Sequence, residues 1–187
     1  MRRFAVIPVL ALTLGCPGGG GADGPNDSRY VGTFSSQFTQ TTVSNGHTGG
    51  PNVTCFNTFQ VAGTIEMNVA VSGDLVEGDV RITGTETETG KSGDASCPLL
   101  GNRTIDVSAQ VNSNPANLTW NGNQSTNTSL YATTKTASFA GTLSPSGATG
   151  AFTWTRHEAG DVASQPKNVT VQADATLTTT VALLLKP

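Results

Sequence analysis

The sequence predicts an all-β domain, an antiparallel up-and-down meander of about eight strands that closes into a small barrel. Apolar and polar residues alternate over most of the chain, short stretches rich in Gly, Asn and Ser separate these segments, and no segment has a helical period. Glycines inside the predicted strands, among them Gly63, Gly84 and Gly141, would weaken a flat sheet but permit the coiling of a barrel. A two-sheet β-sandwich is the alternative.

The first half of the predicted domain contains four strands, each with apolar residues at every second position. The second strand is the clearest segment of the chain. The tight turn at residues 72–74 folds it onto the third strand, and the two predict a β-hairpin. The polar stretch of residues 85–102 is predicted as a connection. The four strands are expected over residues 30–38, 53–71, 76–84 and 105–111.

The second half predicts four more strands with longer interruptions. A short fifth strand carries Leu118 and Trp120, and residues 121–127 are expected to form a loop. Residues 144–147 (Ser-Pro-Ser-Gly) make a turn between the sixth and seventh strands. Residues 157–167 are expected as a loop before a last strand with a long apolar face. These strands are expected over residues 118–120, 131–143, 150–154 and 169–185.

Two of the predicted hairpins have similar sequences. Residues 62–65 read Ala-Gly-Thr-Ile and residues 140–143 read Ala-Gly-Thr-Leu, and each precedes a turn that contains Ser-Gly. This repeated hairpin resembles those of small calycin-type barrels such as lipocalins and avidins. The resemblance concerns the barrel alone, because the lipocalin G-x-W motif is absent and no binding residue can be carried over.

The first sixteen residues have the pattern of an export signal. A short basic segment with Arg2 and Arg3 precedes an apolar run over residues 4–14, which is too short to span a bilayer. The run ends in Leu-Thr-Leu-Gly followed by Cys16, which resembles the lipobox of bacterial lipoproteins. In that family the cysteine becomes the lipid-bearing N-terminus. An ordinary signal peptide with an unrelated cysteine is the alternative.

The lipobox resemblance, the Gly-rich composition after Cys16 and the strand periodicity together predict three parts for the chain. Residues 1–15 are the cleaved signal peptide, residues 16–28 are a lipid-anchored flexible linker rich in Gly, and residues 29–187 are the barrel domain. The resemblance also implies a membrane partner through the lipid on Cys16. Because Pro17 follows Cys16 where Asp would signal inner-membrane retention, we expect the outer membrane of the cell envelope.

The cysteine count is consistent with a lipidated Cys16. The chain has three cysteines, an odd number for an exported protein. If Cys16 carries lipid, Cys55 and Cys97 remain as a pair in an oxidising compartment, and a disulfide between them would add roughly 4 kcal/mol of stability. Two free buried thiols or a metal site are the alternatives. Since neither cysteine lies in a C-x-x-C pair, we expect no metal.

Charge and composition exclude some classes of partner. The formal net charge is −3, only 12% of residues are charged, and the basic residues form no patch. We therefore expect no nucleic-acid partner. We also expect no cofactor.

The sequence contains no convincing catalytic constellation. The only histidines are His47 and His157, both predicted in loops, and no G-x-S-x-G nucleophile motif is present. Glu86 and Glu88 share one face if their strand continues, but their Thr and Gly neighbours favour a solvated strand end. The chain is therefore predicted not to be an enzyme.

The best candidates for a ligand surface are three aromatic residues, because aromatic faces stack on sugars and apolar ligands. Their alternative role is to fill the barrel. The sequence thus predicts a lipid-anchored, non-enzymatic envelope protein that binds or presents something. The first alternative is a carrier that holds a small apolar ligand in a hollow barrel, and small inward residues such as Ala109 would favour such a cavity. The second alternative is an envelope hydrolase. The aromatic candidates are Trp120, Phe152 and Trp154.

Overall fold

The computed structural model describes residues 27–44, 53–93, 100–128, 131–161 and 170–186, and in these ranges every regular element is a strand. No helix in these ranges is long and apolar enough to cross a membrane. The strands are β1 (Asp27–Ser44), β2 (Val53–Ser72), β3 (Leu75–Gly93), β4 (Arg103–Ser113), β5 (Leu118–Thr128), β6 (Tyr131–Ser144), β7 (Gly147–Asp161) and β8 (Thr170–Lys186).

The eight strands form one closed antiparallel barrel. Each strand pairs with its neighbours in the sequence, and β8 pairs with β1 to close the sheet. Alternate side chains therefore point into the barrel and out to solvent. This confirms the predicted up-and-down barrel, and the two-sheet sandwich is excluded.

The two ends of the barrel differ in their connections. At one end, which we call the turn end, β1 begins and β8 ends, and Arg29 pairs with Lys186. The turn end has the connections of residues 73–74, 114–117 and 145–146. The opposite end, which we call the loop end, has the connections of residues 45–52, 94–102, 129–130 and 162–169.

Several strands extend further toward the loop end than the sequence predicts, and β1 continues to Ser44. The predictions of connections over residues 85–93, 121–127 and 157–161 are wrong, because these residues continue β3, β5 and β7. The periodicity fails there for a physical reason. The inward positions of β3 and β7 near this end carry charged residues, so an apolar–polar alternation is absent although the strands continue.

The interior of the turn-end half is apolar and is filled by aromatic rings. Phe34 packs against Phe152 with ring centroids 4.7 Å apart, and Trp120 lies between Phe139 at 5.7 Å and Phe152 at 6.2 Å. Such distances are those of aromatic pairs in direct contact. These rings are therefore core residues that hold several strands together.

Inward glycines make room for one of these rings. Gly141 on β6 pairs with Gly150 on β7. A Cβ atom added to either glycine would lie within 2.8 Å of the Phe139 ring. The ring therefore occupies the space that the two missing side chains leave, and these small residues create no cavity there.

The contact between β4 and β5 is the shortest in the barrel. Their ladder consists of three pairs, from Val111–Trp120 to Ala109–Gly122. At Gly122 the strands approach closely, because an added Cβ would lie 2.5 Å from the carbonyl oxygen of Ser108. Between Ala109–Gly122 and the loop end, the described residues of β4 and β5 form no further pairs. A groove of about 420 Å³ lies along this seam.

Candidate functional site: a charged layer at the loop end

Toward the loop end, the interior of the barrel changes from apolar to charged. Six polar or charged side chains from five strands meet inside the barrel, and five of them are at most 8% exposed. We call this group the charged layer. Its members are Gln40, Glu86, Arg103, Lys135, Arg156 and Glu158.

The strand period places these residues inside. On β3, Glu86 continues the inward series of Val80 and Ile82. On β7, Arg156 and Glu158 occupy alternate positions after the buried Trp154. The layer is thus the continuation of the core positions with charged residues in place of apolar ones.

Arg156 lies at the centre of the layer. Its Nη1 atom donates a hydrogen bond to Glu86 in a fully buried ion pair, and its Nη2 atom donates to the Gln40 amide oxygen. The guanidinium carbon lies 4.5 Å from the centroid of the Phe59 ring and 5.1 Å from that of Phe38. A buried guanidinium is thereby given both anionic and aromatic partners.

The two buried carboxylates are held by further donors. Trp154 Nε1 donates to Glu86 Oε1 at 2.8 Å, and Gln40 Nε2 donates to Glu158 Oε2 at 3.1 Å. Glu158 also forms an ion pair with Arg103 and lies 3.7 Å from the Nε atom of Arg156. Each carboxylate therefore faces a guanidinium and one neutral donor.

Lys135 connects the layer to the seam between β4 and β5. It extends from β6 and donates from Nζ to the backbone carbonyl of Thr104 on β4, at 2.6 Å. Because β5 lies between β4 and β6 in the sheet, this side chain passes beneath β5. Thr104 is beyond the last β4–β5 pair, so the amine satisfies a carbonyl on the unpaired part of β4.

Burial affects the basic groups of the layer. Desolvation lowers the pKa of Lys135 below its ordinary value, and the Glu86 carboxylate opposes this effect. Desolvation likewise lowers the pKa of Arg156, again against the opposing attraction of Glu86. Removal from water disfavours the charged form of a base, which explains the common direction.

Glu88 holds the chain at the start of β4. Its carboxylate accepts hydrogen bonds from the backbone amides of Leu100 at 2.6 Å and Gly101 at 2.7 Å, and from Asn57 Nδ2 at 2.7 Å. Gly101 has a φ of +73°, a left-handed conformation that suits glycine. Glu88 thus fixes the end of the connection between β3 and β4 on the barrel.

The arrangement favours a rigid polar support over a reacting centre. Both buried carboxylates are neutralised by arginine, so neither is a free base or nucleophile. In the described part of the chain, no three His, Cys, Asp or Glu side chains are grouped to hold a metal ion. The layer joins five strands by charge-assisted hydrogen bonds, which fixes the barrel beneath the loop end.

The three aromatic residues predicted as ligand contacts are all in the core. Trp120, Phe152 and Trp154 are at most 4% exposed. Trp120 and Phe152 belong to the ring cluster of the turn-end half, while Trp154 reaches the charged layer through its bond to Glu86. These positions favour the alternative of the sequence analysis, in which the rings fill the barrel.

Of the three cysteines to which the sequence analysis gives a role, the structure describes only Cys55. Cys55 is buried on β2 and is disulfide-bonded. Cys16 and Cys97 lie outside the described residues, so the lipid on Cys16 and the pairing of Cys55 with Cys97 stay predictions. Titration of the denatured, unreduced mature protein should find neither Cys55 nor Cys97 as a free thiol, and two reactive thiols would contradict the pairing.

Two interpretations of single residues from the sequence are corrected. Glu86 is fully buried and paired, so it does not belong to a solvated strand end. His157 is on β7 rather than in a loop, although it is exposed as expected. His47 lies outside the described residues.

Sequence reasoning missed Gln40, Arg103, Lys135, Arg156 and Glu158. A signal for them exists, because charged residues occur on the inward parity of predicted strands near the loop end. Reading that parity past the last apolar residue of each strand would have brought these residues together.

In comparisons with known proteins, no family model matches the chain and no curated protein matches it significantly.

Proposed function

We propose that this protein is a lipid-anchored, non-enzymatic protein of the cell envelope that presents the loop end of its barrel as a binding face. The observation that carries the proposal is the asymmetry of the barrel. The strand that follows the predicted linker begins at the turn end, and the longer connections lie at the opposite end.

The predicted anchor would hold the turn end near the membrane. Residues 27–28 of the predicted linker already belong to β1. Its remaining residues, 16–26, would span roughly 20 Å on average as a Gly-rich coil. Strands of this length rise about 3.3 Å per residue and tilt by about 40° in a barrel, so the two ends lie roughly 40 Å apart. The loop end is thereby kept away from the lipid surface. As Pro17 follows Cys16, we assign the anchor to the outer membrane.

The charged layer gives the loop end a fixed base. Connections are where binding residues concentrate when a rigid scaffold positions them. Here Glu88 holds the connection before β4, and the ion pairs of Arg156 tie the strands together below it. This combination supports contact with an envelope component such as a sugar chain through the loops.

The two alternatives have less support. A carrier with a hollow apolar barrel would need space where Phe34, Trp120 and Phe152 are in mutual contact. An envelope hydrolase would need a free acid, base or nucleophile, and the buried carboxylates Glu86 and Glu158 are each paired with arginine.

The anchor is tested by the full-length variant Cys16→Ser. We expect this variant to stay unprocessed or to move from the detergent phase to the aqueous phase in a detergent-partitioning assay. The control is Gly15→Ala, which keeps a small residue before the cysteine and should be processed and partition as the parent does. Normal maturation and unchanged partitioning of Cys16→Ser would refute the anchor.

The binding mode is tested by tryptophan fluorescence of the purified protein. We expect an apolar dye such as anilinonaphthalene sulfonate to leave the emission of Trp120 and Trp154 unchanged, because rings occupy the apolar interior. Short oligosaccharides that bind at the loops should likewise leave the core emission unchanged while they protect loop amides from hydrogen exchange. A saturable dye-induced change that Trp154→Phe abolishes would favour the carrier.

A further inference from the structure

The exposed apolar side chains are concentrated at the turn end. In the described part of the chain, five large apolar side chains are exposed, and four of them are at this end. The fifth, Phe56, is in the part of β2 next to the loop end. We call the four the apolar rim. They are Val71 at 44% exposure, Leu75 at 41%, Leu184 at 59% and Leu185 at 42%.

The apolar rim surrounds the point where the chain enters the barrel. β1 begins at Asp27, between the end of β2 and the end of β8. Val71 belongs to that end of β2, and Leu184 and Leu185 belong to that end of β8. Leu75 begins β3 directly after the turn that follows β2. The first residue of β1 therefore lies among the strand ends that carry these side chains.

A groove continues the rim across the turn end. It has a volume of about 420 Å³, and Val71 and Leu185 line it together with Tyr30, Leu143 and Pro145. Clustered exposed apolar side chains on a soluble surface usually mark a contact with another apolar surface. The loop end has only Phe56 of this kind among the described residues.

We propose that the apolar rim docks on the lipid bilayer into which the chain's own anchor inserts, so that the barrel stands upright on the membrane. This inference rests on the proposed lipid anchor at Cys16. Because the linker holds the turn end within roughly 20 Å of the bilayer, the rim meets the lipid at an effective concentration in the millimolar range. Weak insertion of a few aliphatic side chains at the headgroup boundary is then enough to orient the barrel.

A bilayer suits the rim better than a second copy of the chain. A stable protein interface buries about 800 Å² on each partner, which four half-exposed aliphatic side chains cannot supply. A lipid surface makes no such demand, since each inserted side chain contributes independently. Of the basic groups at the turn end, Arg29 is paired with Glu66 at 2.7 Å, whereas Lys186 directly follows Leu185 and is exposed. The test therefore uses uncharged phosphatidylcholine, because docking on it depends on the apolar rim and not on attraction of Lys186 to anionic lipid.

The experiment uses the full-length, processed protein with its lipid confirmed by mass, reconstituted into phosphatidylcholine vesicles with brominated acyl chains. Leu184→Trp and Leu75→Trp place a reporter on the rim, and Phe56→Trp is the matched control near the loop end. The native Trp120 and Trp154 are buried and give a constant background. We expect the emission of the tryptophan introduced in each rim variant to be about twofold lower in brominated than in unbrominated vesicles, because the side chain lies at the acyl boundary. The emission of the tryptophan introduced in the control should be the same in both kinds of vesicle.

The outcomes separate this inference from the proposed anchor. A lipidated, vesicle-bound protein whose rim variants are unquenched would overturn the inference and leave the anchor intact. Equal quenching of Phe56→Trp would overturn the upright orientation. A concentration-dependent dimer in detergent that shields Leu184→Trp would assign the rim to a second copy instead. A chain without lipid would refute the proposed anchor and, with it, this inference.

Discussion

Replacement of Arg156 by methionine tests whether the charged layer is as dry as its geometry indicates. The change removes the ion pair with Glu86, the hydrogen bond to Gln40 and the stacking over Phe59. Methionine keeps most of the aliphatic volume, so the cavity contribution is small. The cost comes mainly from Glu86, which stays buried and keeps only the Trp154 indole N–H of the two donors described above.

We expect Arg156→Met to lower the free energy of unfolding by about 3–5 kcal/mol, the usual cost when one partner of a buried ion pair is removed. This is a large part of the roughly 5–15 kcal/mol that stabilises a typical domain. With a urea m-value of about 2 kcal/mol/M, the midpoint of unfolding falls by about 2 M. Urea unfolding followed by circular dichroism measures both quantities.

Arg81 supplies the matched control. It forms an ion pair with Asp106 at 3.3 Å, but its side chain is 65% exposed. We expect Arg81→Met to change the free energy of unfolding by less than about 1 kcal/mol, because water screens exposed pairs. The double variant Arg156→Met/Glu86→Gln removes the unpaired charge and should recover part of the loss. Equal effects of Arg156→Met and Arg81→Met would show that water reaches the layer, and would refute the reasoning.

Three further predictions follow from the same contacts. Trp154→Phe should lower the free energy of unfolding by about 1–3 kcal/mol, because a buried carboxylate oxygen loses its donor. Trp120→Phe should cost less in the same urea assay, because the buried indole nitrogen of Trp120 has no hydrogen-bond partner among the described residues. Burial is the main cause that lowers the pKa of Lys135 in the folded protein. The buried ammonium therefore destabilises the fold fully at pH values below the lowered pKa, and this destabilisation disappears as the pH rises toward 10.5, the pKa in the unfolded chain. The stability of the parent relative to Lys135→Met should therefore increase between pH 7 and pH 10.5, and a constant difference would contradict the burial of the amine. Glu88→Ala should speed hydrogen exchange of the amides at residues 100–101 about tenfold for each lost bond, and unchanged exchange would show that another group holds this segment.

The fold could be predicted because one physical signal recurs along the chain. The alternation over β2 and the turn at Gly73 define a hairpin from local residues alone, and its inward apolar series is confirmed from Val61 to Val69. Seven such connections leave few topologies other than a meander. Closure into a barrel follows from the same pattern, since an open sheet would expose the edges of β1 and β8.

The charged layer could not be predicted in the same way because its residues violate the rule that reveals strands. Glu86 and Arg156 are charged residues that occupy core positions of the barrel. Their hydrogen bond joins residues that are 70 positions apart in the sequence. Burial of either charge alone would be prohibitive, so the inward assignment is reasonable only when both are considered together. An analysis of periodicity considers each strand separately. It therefore predicts ends for β3 and β7 that come before their observed ends.

The short ladder between β4 and β5 divides the barrel into two four-stranded halves, one from β1 to β4 and the other from β5 to β8. Within each half, every pairing joins consecutive strands and forms locally. Of the two strand ladders that join the halves, the longer is that of β1 with β8, and it closes a loop of nearly the whole domain, for example from Arg29 to Lys186. The ion pairs of the charged layer, such as Arg156–Glu86, also cross between the halves and need them to be docked. Such distant pairing is slow, because the entropy of the intervening chain is lost before the contact forms. The barrel is thus expected to assemble as two preformed sheets that dock late. Native-state opening should begin at the ladder between β4 and β5, which has only three pairs.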